Sequence, residues 1–265
     1  TGGDNLQTFN ISTAASFVIA GAGGNVAKHG NRSVSGVSGS ADIFEYFGFD
    51  LNSEPWVVEE SIEKIGIGFM FAPTFHPAMK NVAPARKLIG KRTAFNLLGP
   101  LCNPAKVRHQ MIGVFADKYI ERIVRIMQKN FSDTVLAVRS DDGMDELSTT
   151  SKNKACLLKN EAITEFIIDP SKYNMEKGDL VNIQISTKQE AIDAFANVLN
   201  NTSNKTMKEI TILNAAGGLL VGGICNRFDE GVELALETIN NGNAFKKLKQ
   251  FAKENNSLEK LEDLE

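Results

Sequence analysis

Lys28-His29-Gly30-Asn31-Arg32-Ser33-Val34-Ser35-Gly36-Val37-Ser38-Gly39-Ser40-Ala41-Asp42 places an ammonium, a guanidinium, an imidazole, an amide, four hydroxyls and three glycines in one short run. With almost nothing apolar to bury, the run reads as a loop and not as a core strand. A loop that presents cations, backbone N–H groups and small hydroxyl donors together suits a polyphosphate. Alone, a tract this polar is more often a solvated Gly/Ser connection, so its neighbours decide.

Upstream, Thr1-Gly2-Gly3-Asp4 and Thr8 precede Asn10-Ile11-Ser12-Thr13, which opens an apolar run from Ala14 to Ala22. Ser12 or Thr13 reads as the N-cap of a helix with Ala14, Phe17, Val18 and Gly21 on one face. A helix start carries unpaired N–H groups and partial positive charge, so it receives an anion. Glycines just before it let the backbone approach a phosphate closely. Downstream, Ser40 and Asp42 read as the cap and first turn of a second helix, Ile43 to Phe47. Two helix starts around a basic glycine loop favour phosphate binding over a linker.

The chain has 265 residues, enough for a full core in one large domain or one and a half. A net charge of −3 gives no support to a nucleic-acid surface. No apolar run spans a membrane and no signal peptide is visible. Cys102, Cys156 and Cys225 are odd in number and far apart, as reduced cytosolic thiols are. The chain opens on Thr1 inside a glycine motif, which implies preceding sequence.

Beyond Asp50, Glu59 to Lys64 reads as a short solvated helix and Ile65 to Phe71 as a buried strand, broken by Pro73 to Pro77. Ala78 to Gly90 is basic and partly helical. Thr93 to Leu98 is apolar and leads into a turn-rich stop at Gly99-Pro100-Leu101. From Gln110 the pattern is that of α/β units: strand Met111–Phe115, helix Tyr119–Asn130 with Ile120, Ile123, Val124 and Met127 on one side, and strand Thr134–Val138. Residues 154–186 alternate as antiparallel strands and a hairpin. Helices follow at Glu190–Asn200, Ile210–Leu220, Asp229–Ile239 and Phe245–Glu254.

A second candidate site is Ser140-Asp141-Asp142-Gly143-Met144-Asp145-Glu146-Leu147, directly after a buried strand. Loops at the carboxyl ends of strands are where open α/β sheets place ligands. An EF-hand beginning at Asp141 would need Glu at its twelfth position, where Lys152 stands. Adjacent Asp145 and Glu146 suit Mg²⁺, which takes one or two carboxylates and completes its shell with water and phosphate oxygens. His76, Arg86, Lys87, Lys91 and Arg92 form a third cluster, in which an Arg could clamp a carboxylate through two parallel hydrogen bonds. Gly21-Ala22-Gly23-Gly24 follows a helix, not a strand, and lacks the third glycine of a dinucleotide fingerprint.

Thr-Gly-Gly-Asp with Asn-Ile-Ser-Thr, the Lys28–Asp42 run, His76-Pro77-Ala78-Met79, Asn96-Leu97-Leu98-Gly99-Pro100-Leu101 and Asp142-Gly143-Met144-Asp145-Glu146-Leu147 together closely resemble the anthranilate phosphoribosyltransferases. The resemblance runs from Thr1 through Asn214-Ala215-Ala216 into the C-terminal region. It implies an α/β fold with a central mixed, mostly parallel sheet flanked by helices. Residues 1–72 and 101–265 would form the donor-binding catalytic domain. Residues 73–100 would be the hinge and the remnant of a small all-helical domain, whose N-terminal portion is expected to be lacking.

The implied reaction joins 5-phosphoribosyl diphosphate to the amine of anthranilate with Mg²⁺, in a cytoplasmic homodimer of tryptophan biosynthesis, with no nucleic-acid or membrane partner. Carried over by motif, Gly3, Asp4, Thr8, Asn10, Ile11, Ser12, Thr13, Lys28, His29, Gly30, Asn31, Arg32, Ser33, Val34, Ser35, Gly36 and Ser40 would hold the donor. Ser12, Asp145 and Glu146 would hold the metal. Asn31, Arg86, Gly99 and Pro100 would face anthranilate with His29 nearby. No residue is implied as an acid or base, and Lys28 would support the leaving group. The family usually has Gly where Asn5 stands. Two alternatives remain at the level of residues: a pyrimidine nucleoside phosphorylase with a similar lysine-bearing loop, and a non-catalytic nucleic-acid-binding relative.

Overall fold

A computed structural model of the chain describes residues 4, 6–33, 37–78, 95–130, 132–262 and 264. Its architecture is α/β, with a two-stranded parallel sheet and a four-stranded mixed sheet among the described residues. The apolar run after Asn10 forms α1, Ile11–Gly21. Ile11, Ala14, Ala15, Phe17, Val18 and Ala20 are all buried along it, so the helix runs through the core instead of lying on it. The chain turns into β1, Val26–Gly30, which pairs in parallel with β2, Ile67–Phe71. Between them lie α2, Ser40–Tyr46, and α3, Pro55–Ile65. After β2 come α4, Ala72–Phe75, and α5, Phe95–Leu101.

The second sheet has the order β3-β4-β5-β6, with β3 (His109–Gly113) parallel to β4 (Thr134–Ser140) and β5 (Asn153–Lys159) and β6 (Ala162–Ile168) antiparallel. Helix α6, Ile120–Lys129, buries Ile120, Ile123, Val124 and Met127 against this sheet, the face its periodicity predicts. The C-terminal helices are α7 (Lys188–Leu199), α8 (Lys205–Val221), α9 (Phe228–Asn240), α10 (Asn243–Glu254) and the short α11 (Glu259–Glu262).

Helix α1 packs on α8 and α10. The approach to α8 is close enough that a Cβ on Gly218 would lie 2.3 Å from Ile19. Phe17, Phe44, Phe49, Phe69, Phe195 and Phe251 form one aromatic nucleus joining α1, α2, β2, α7 and α10. Each such ring contributes roughly 1.5–3 kcal/mol by leaving water. Phe69 of this nucleus is the strand partner of Lys28 in β1, whose Nζ donates to Ser12 at the start of α1. No helix among the described residues is long and apolar enough to cross a membrane.

Several boundaries differ from the sequence reading. Lys28, His29 and Gly30 belong to β1, opposite Phe69, Met70 and Phe71. They can be polar because they form the strand's carboxyl end, where ligands bind in such sheets. The N-cap of α1 is Asn10, not Ser12 or Thr13. Gly99 and Pro100 lie inside α5 and not in a turn; the proline ring fixes a helical φ, and its missing N–H forfeits one bond of a helix that ends at the next residue. Helix α3 begins at Pro55, four residues early, because Pro suits a first helical position. Ala78 to Gly90, with Arg86, lies for the most part outside the described residues.

Candidate active site

The loop from Ser140 to Ser151 leaves β4 and returns into β5, cross-braced on itself. Ser140 and Ser151 share a hydroxyl hydrogen bond of 2.6 Å, Met144 N–H donates to Asp142 at 3.0 Å, and Thr150 donates to Asp142. Asn153 accepts from Ser148 N–H at 2.7 Å and donates to the carbonyls of Ser148 and Ile168. From α8, Asn214 accepts from Leu147 N–H at 3.0 Å and donates to Leu147 C=O at 2.7 Å. Met144 and Leu147 are fully buried on either side of the acids. Asp145 and Glu146 are therefore fixed by the core, at 3 % and 6 % exposure.

What they face was separated by over a hundred residues in sequence. Glu146 accepts from Ser12 N–H in the first turn of α1 at 3.0 Å. Lys28 donates from Nζ to Ser12 Oγ at 3.2 Å. Asp145 N–H donates to Asp4 at 3.4 Å, and Asp4 also accepts from Leu6 N–H. Asp4, Ser12, Lys28, Asp145 and Glu146 thus meet at one place. Burial, and then the negative charges of Asp145 and Asp4, push the Glu146 carboxyl up to about 8, with Lys28 opposing. Burial pulls Lys28 down to about 8 against the attraction of Glu146. The cluster holds more negative charge than one ammonium offsets, and a buried charge without a partner is costly.

The helix start is not open in the way its sequence suggested. Ile11 N–H donates to Phe9 C=O and Thr13 N–H to Asn10 C=O, while Ser12 N–H holds Glu146. The acceptor at the start of α1 is the protein's own Glu146 carboxyl group. Asn10 Oδ1 is buried without a partner. Thr8 pairs as an isolated bridge with Gln184, so its backbone ties the segment before α1 to the C-terminal half.

Around the glycine loop, Asn31 C=O accepts from Ala41 N–H at 3.3 Å and from Ser40 Oγ at 3.5 Å. A Cβ on Gly39 would sit 2.4 Å from Ser33 N and 2.5 Å from Asn31 O, and one on Gly30 only 2.0 Å from Ser40 Oγ. The glycines permit the loop to fold back on itself. Arg32 leaves the cluster: its guanidinium is bidentate on Glu45 at 2.6 and 2.7 Å and reaches Asp42 at 3.2 Å. Gly3, Val34, Ser35, Gly36 and Arg86 lie outside the described residues.

On the other side of β1, the His29 ring meets His76 at 5.0 Å, edge to face, and both Nε2 atoms are buried without a partner. Burial and then the neighbouring His76 push His29 down to about 4, with a hydrogen bond to the Gly99 backbone opposing. Gly99 and Pro100 are anchored beside β1, since Asn103 donates to Ala27 C=O at 3.0 Å and Gln110 to Pro100 C=O at 2.7 Å. The pairing of His29 with His76, and the amides Asn153 and Asn214, escaped the sequence reading. A lone amide inside the apolar stretch Ile212-Leu213-Asn214-Ala215-Ala216 was the available signal.

Buried acids, one lysine and a glycine loop brought together at the carboxyl end of a parallel strand offer the donors and acceptors that group transfer from a phosphorylated substrate needs. Residues 1–245 match the family model described as "Glycosyl transferase family, a/b domain". The chain belongs to the anthranilate phosphoribosyltransferase family. The enzyme of that name from Nitrosopumilus maritimus is 57% identical over 264 residues, covering 100% of this chain and 76% of the relative. The Thermus thermophilus enzyme superposes with a TM-score of 0.87 at 33% identity, over 95% of this chain and 74% of that one. The Saccharomyces cerevisiae enzyme, solved in complex with PRPP and Mg, gives 0.84 at 27% identity, over 97% and 72%. It has also been solved with 4-fluoroanthranilate.

Proposed function

We propose that this protein transfers the 5-phosphoribosyl group of 5-phosphoribosyl diphosphate to the amine of anthranilate, giving N-(5-phosphoribosyl)anthranilate and pyrophosphate. The observation that carries the reading is the convergence of Ser12, Lys28, Asp145 and Glu146. Family membership supports it, as do the yeast enzyme's complexes with PRPP and Mg and with 4-fluoroanthranilate.

Among the described residues no three His, Cys, Asp or Glu side chains form a cage for a metal. Two adjacent carboxylates and a serine hydroxyl do fit Mg²⁺, which draws its other oxygens from water and phosphate. Burial, and then the neighbouring charges of Asp145 and Asp4, raise Glu146, and a cation placed there would oppose both. Asp145, Glu146 and Ser12 are the residues that would hold it. Mg²⁺, when bound, neutralises charge on the departing pyrophosphate.

Lys28 adds a second positive charge already in place before reaction, so no reorganisation is needed as the glycosidic bond breaks. Asn31, Ser33, Ser40 and the loop backbone grip the donor. Asn31, Arg86 and the Gly99-Pro100 segment orient anthranilate, with His29 neutral beside them. The aromatic amine is neutral at pH 7 and attacks without a strong base, so positioning supplies much of the rate.

The test follows anthranilate fluorescence with donor and Mg²⁺, against a parallel reaction of thymidine with phosphate. Magnesium-dependent loss of anthranilate is expected; turnover of thymidine alone contradicts the reading and favours a nucleoside phosphorylase.

A further inference from the structure

We propose that Asn214 is a positioning residue for the metal site: from α8, which supplies no ligand, it fixes the backbone of Leu147 and thereby aims the Glu146 carboxylate at the magnesium diphosphate. The inference rests on the function proposed above.

Asn214 is 4 % exposed. Its Oδ1 accepts from Leu147 N–H at 3.0 Å while its Nδ2 donates to Leu147 C=O at 2.7 Å and to Ile210 C=O at 2.8 Å. Both backbone polar groups of one residue are thus gripped by one side chain, much as a strand neighbour grips its partner. That residue is the one following Glu146. The bond to Ile210 in turn ties the amide to its own helix, so its orientation is set by α8 and the packed core.

Asn153 closes the same loop from the other side, but its bonds end on Ser148, Ser151 and Ile168. The two amides therefore divide the work: Asn153 closes the loop, and Asn214 sets the peptide next to the acid. Without Asn214, the Leu147 N–H and C=O would be buried and unpaired, and the peptide would rotate to find partners. Glu146 would turn with it, away from Ser12 N–H and the cation. Partners behind a metal ligand commonly govern affinity in this manner.

The experiment titrates MgCl₂ with inorganic pyrophosphate into wild type, Asn214→Leu and Asn214→Ser by calorimetry, and follows amide hydrogen exchange across residues 144–149 without metal. Thr211→Val is the control, because Thr211 is buried on the same helix and its hydroxyl donates to Met207 C=O, at 2.8 Å, and not to the acid loop. Expected are a loss of affinity of about tenfold or more in both Asn214 variants and faster exchange at 144–149. The Thr211 variant should change neither. In turnover, the Mg²⁺ needed for half-activity should rise while the anthranilate KM holds.

Folded Asn214 variants that bind magnesium pyrophosphate like wild type overturn the inference, as does an equal loss in Thr211→Val. Should Asn214→Leu fail to fold, Asn214→Ser decides. Should both fail, a Leu147 amide in wild type that exchanges as fast as exposed loop amides is the overturning result, and a protected one supports the clamp. A wild type that takes no magnesium pyrophosphate at all overturns the functional reading together with this one.

Discussion

The helix starts of α1 and α2 flank the same glycine loop and are satisfied in opposite ways. At α2 the partner is local: Asp42, in the first turn, accepts from Gly39 N–H at 2.9 Å, and Asn31 C=O accepts from Ala41 N–H. At α1 the partner of Ser12 N–H is Glu146, 134 residues away and buried. A local cap steadies one helix. The distant one makes the start of α1 and the acid loop a single unit, so any ligand that draws on Glu146 also acts on the helix beside Lys28. Helix α2 holds the loop in shape, whereas α1 shares its first-turn N–H with the acid loop.

The largest expected effect comes from breaking the distant partnership. The double variant Asp145→Asn, Glu146→Gln should lose magnesium-dependent turnover by at least about a hundredfold. The carboxamide oxygen that replaces the Glu146 carboxylate would still accept from Ser12 N–H, and the buried like charges that raise Glu146 would be gone. The variant should therefore melt no lower than wild type, and higher if the repulsion is released. Loss of turnover with an unchanged response to Mg²⁺ would count against the metal assignment.

Disturbing the local region should matter less. In Gly39→Ala the added carbon collides with Ser33 N and Asn31 O, both backbone atoms that cannot swing aside. The loop must open there, and the donor KM should rise about tenfold, since small displacements of positioning groups are costly. The anthranilate KM should rise by less than the donor KM, since of the described groups proposed to hold anthranilate only Asn31 adjoins Gly39, a split that steady-state kinetics with either substrate varied will read.

The smallest effect is one of pH. His29, held near 4 against an ordinary 6.5 by burial and His76, binds fewer protons folded than unfolded between those values. Its contribution to stability is complete above about 6.5 and is lost as the pH falls toward 4. Urea melts at about pH 7 and about pH 4.5 should differ by less in His29→Asn than in wild type. An equal difference in both would mean that other groups set the acid limit.

What could be read from sequence follows the same division between local and distant. Helix α6 and strands β2 and β4 were legible because apolar periodicity is a property of neighbours. Asp42 in the first turn of α2 was legible for the same reason. Asp145 and Glu146 stood out as candidates from their place after a buried strand, but their contact with Ser12 was not legible, because no local pattern records a contact across 134 residues. Arg32 shows the converse. Its sequence neighbourhood marked it as an anion ligand, yet Glu45, on the next helix, offers a bidentate carboxylate closer to hand. Lys28 read as loop because its charge concealed a backbone that pairs with Phe69. In each case the residue type was informative and its three-dimensional partner was not.

The most direct test is a diffraction experiment on crystals soaked with Mn²⁺ and pyrophosphate, with Mn²⁺ as an anomalous stand-in for Mg²⁺. The expected result is an anomalous peak bound by Asp145 or Glu146, with pyrophosphate oxygens on the same ion and within hydrogen-bonding reach of Lys28. A pyrophosphate bound elsewhere, or a metal seated away from both acids with Glu146 still on Ser12 N–H, would contradict it.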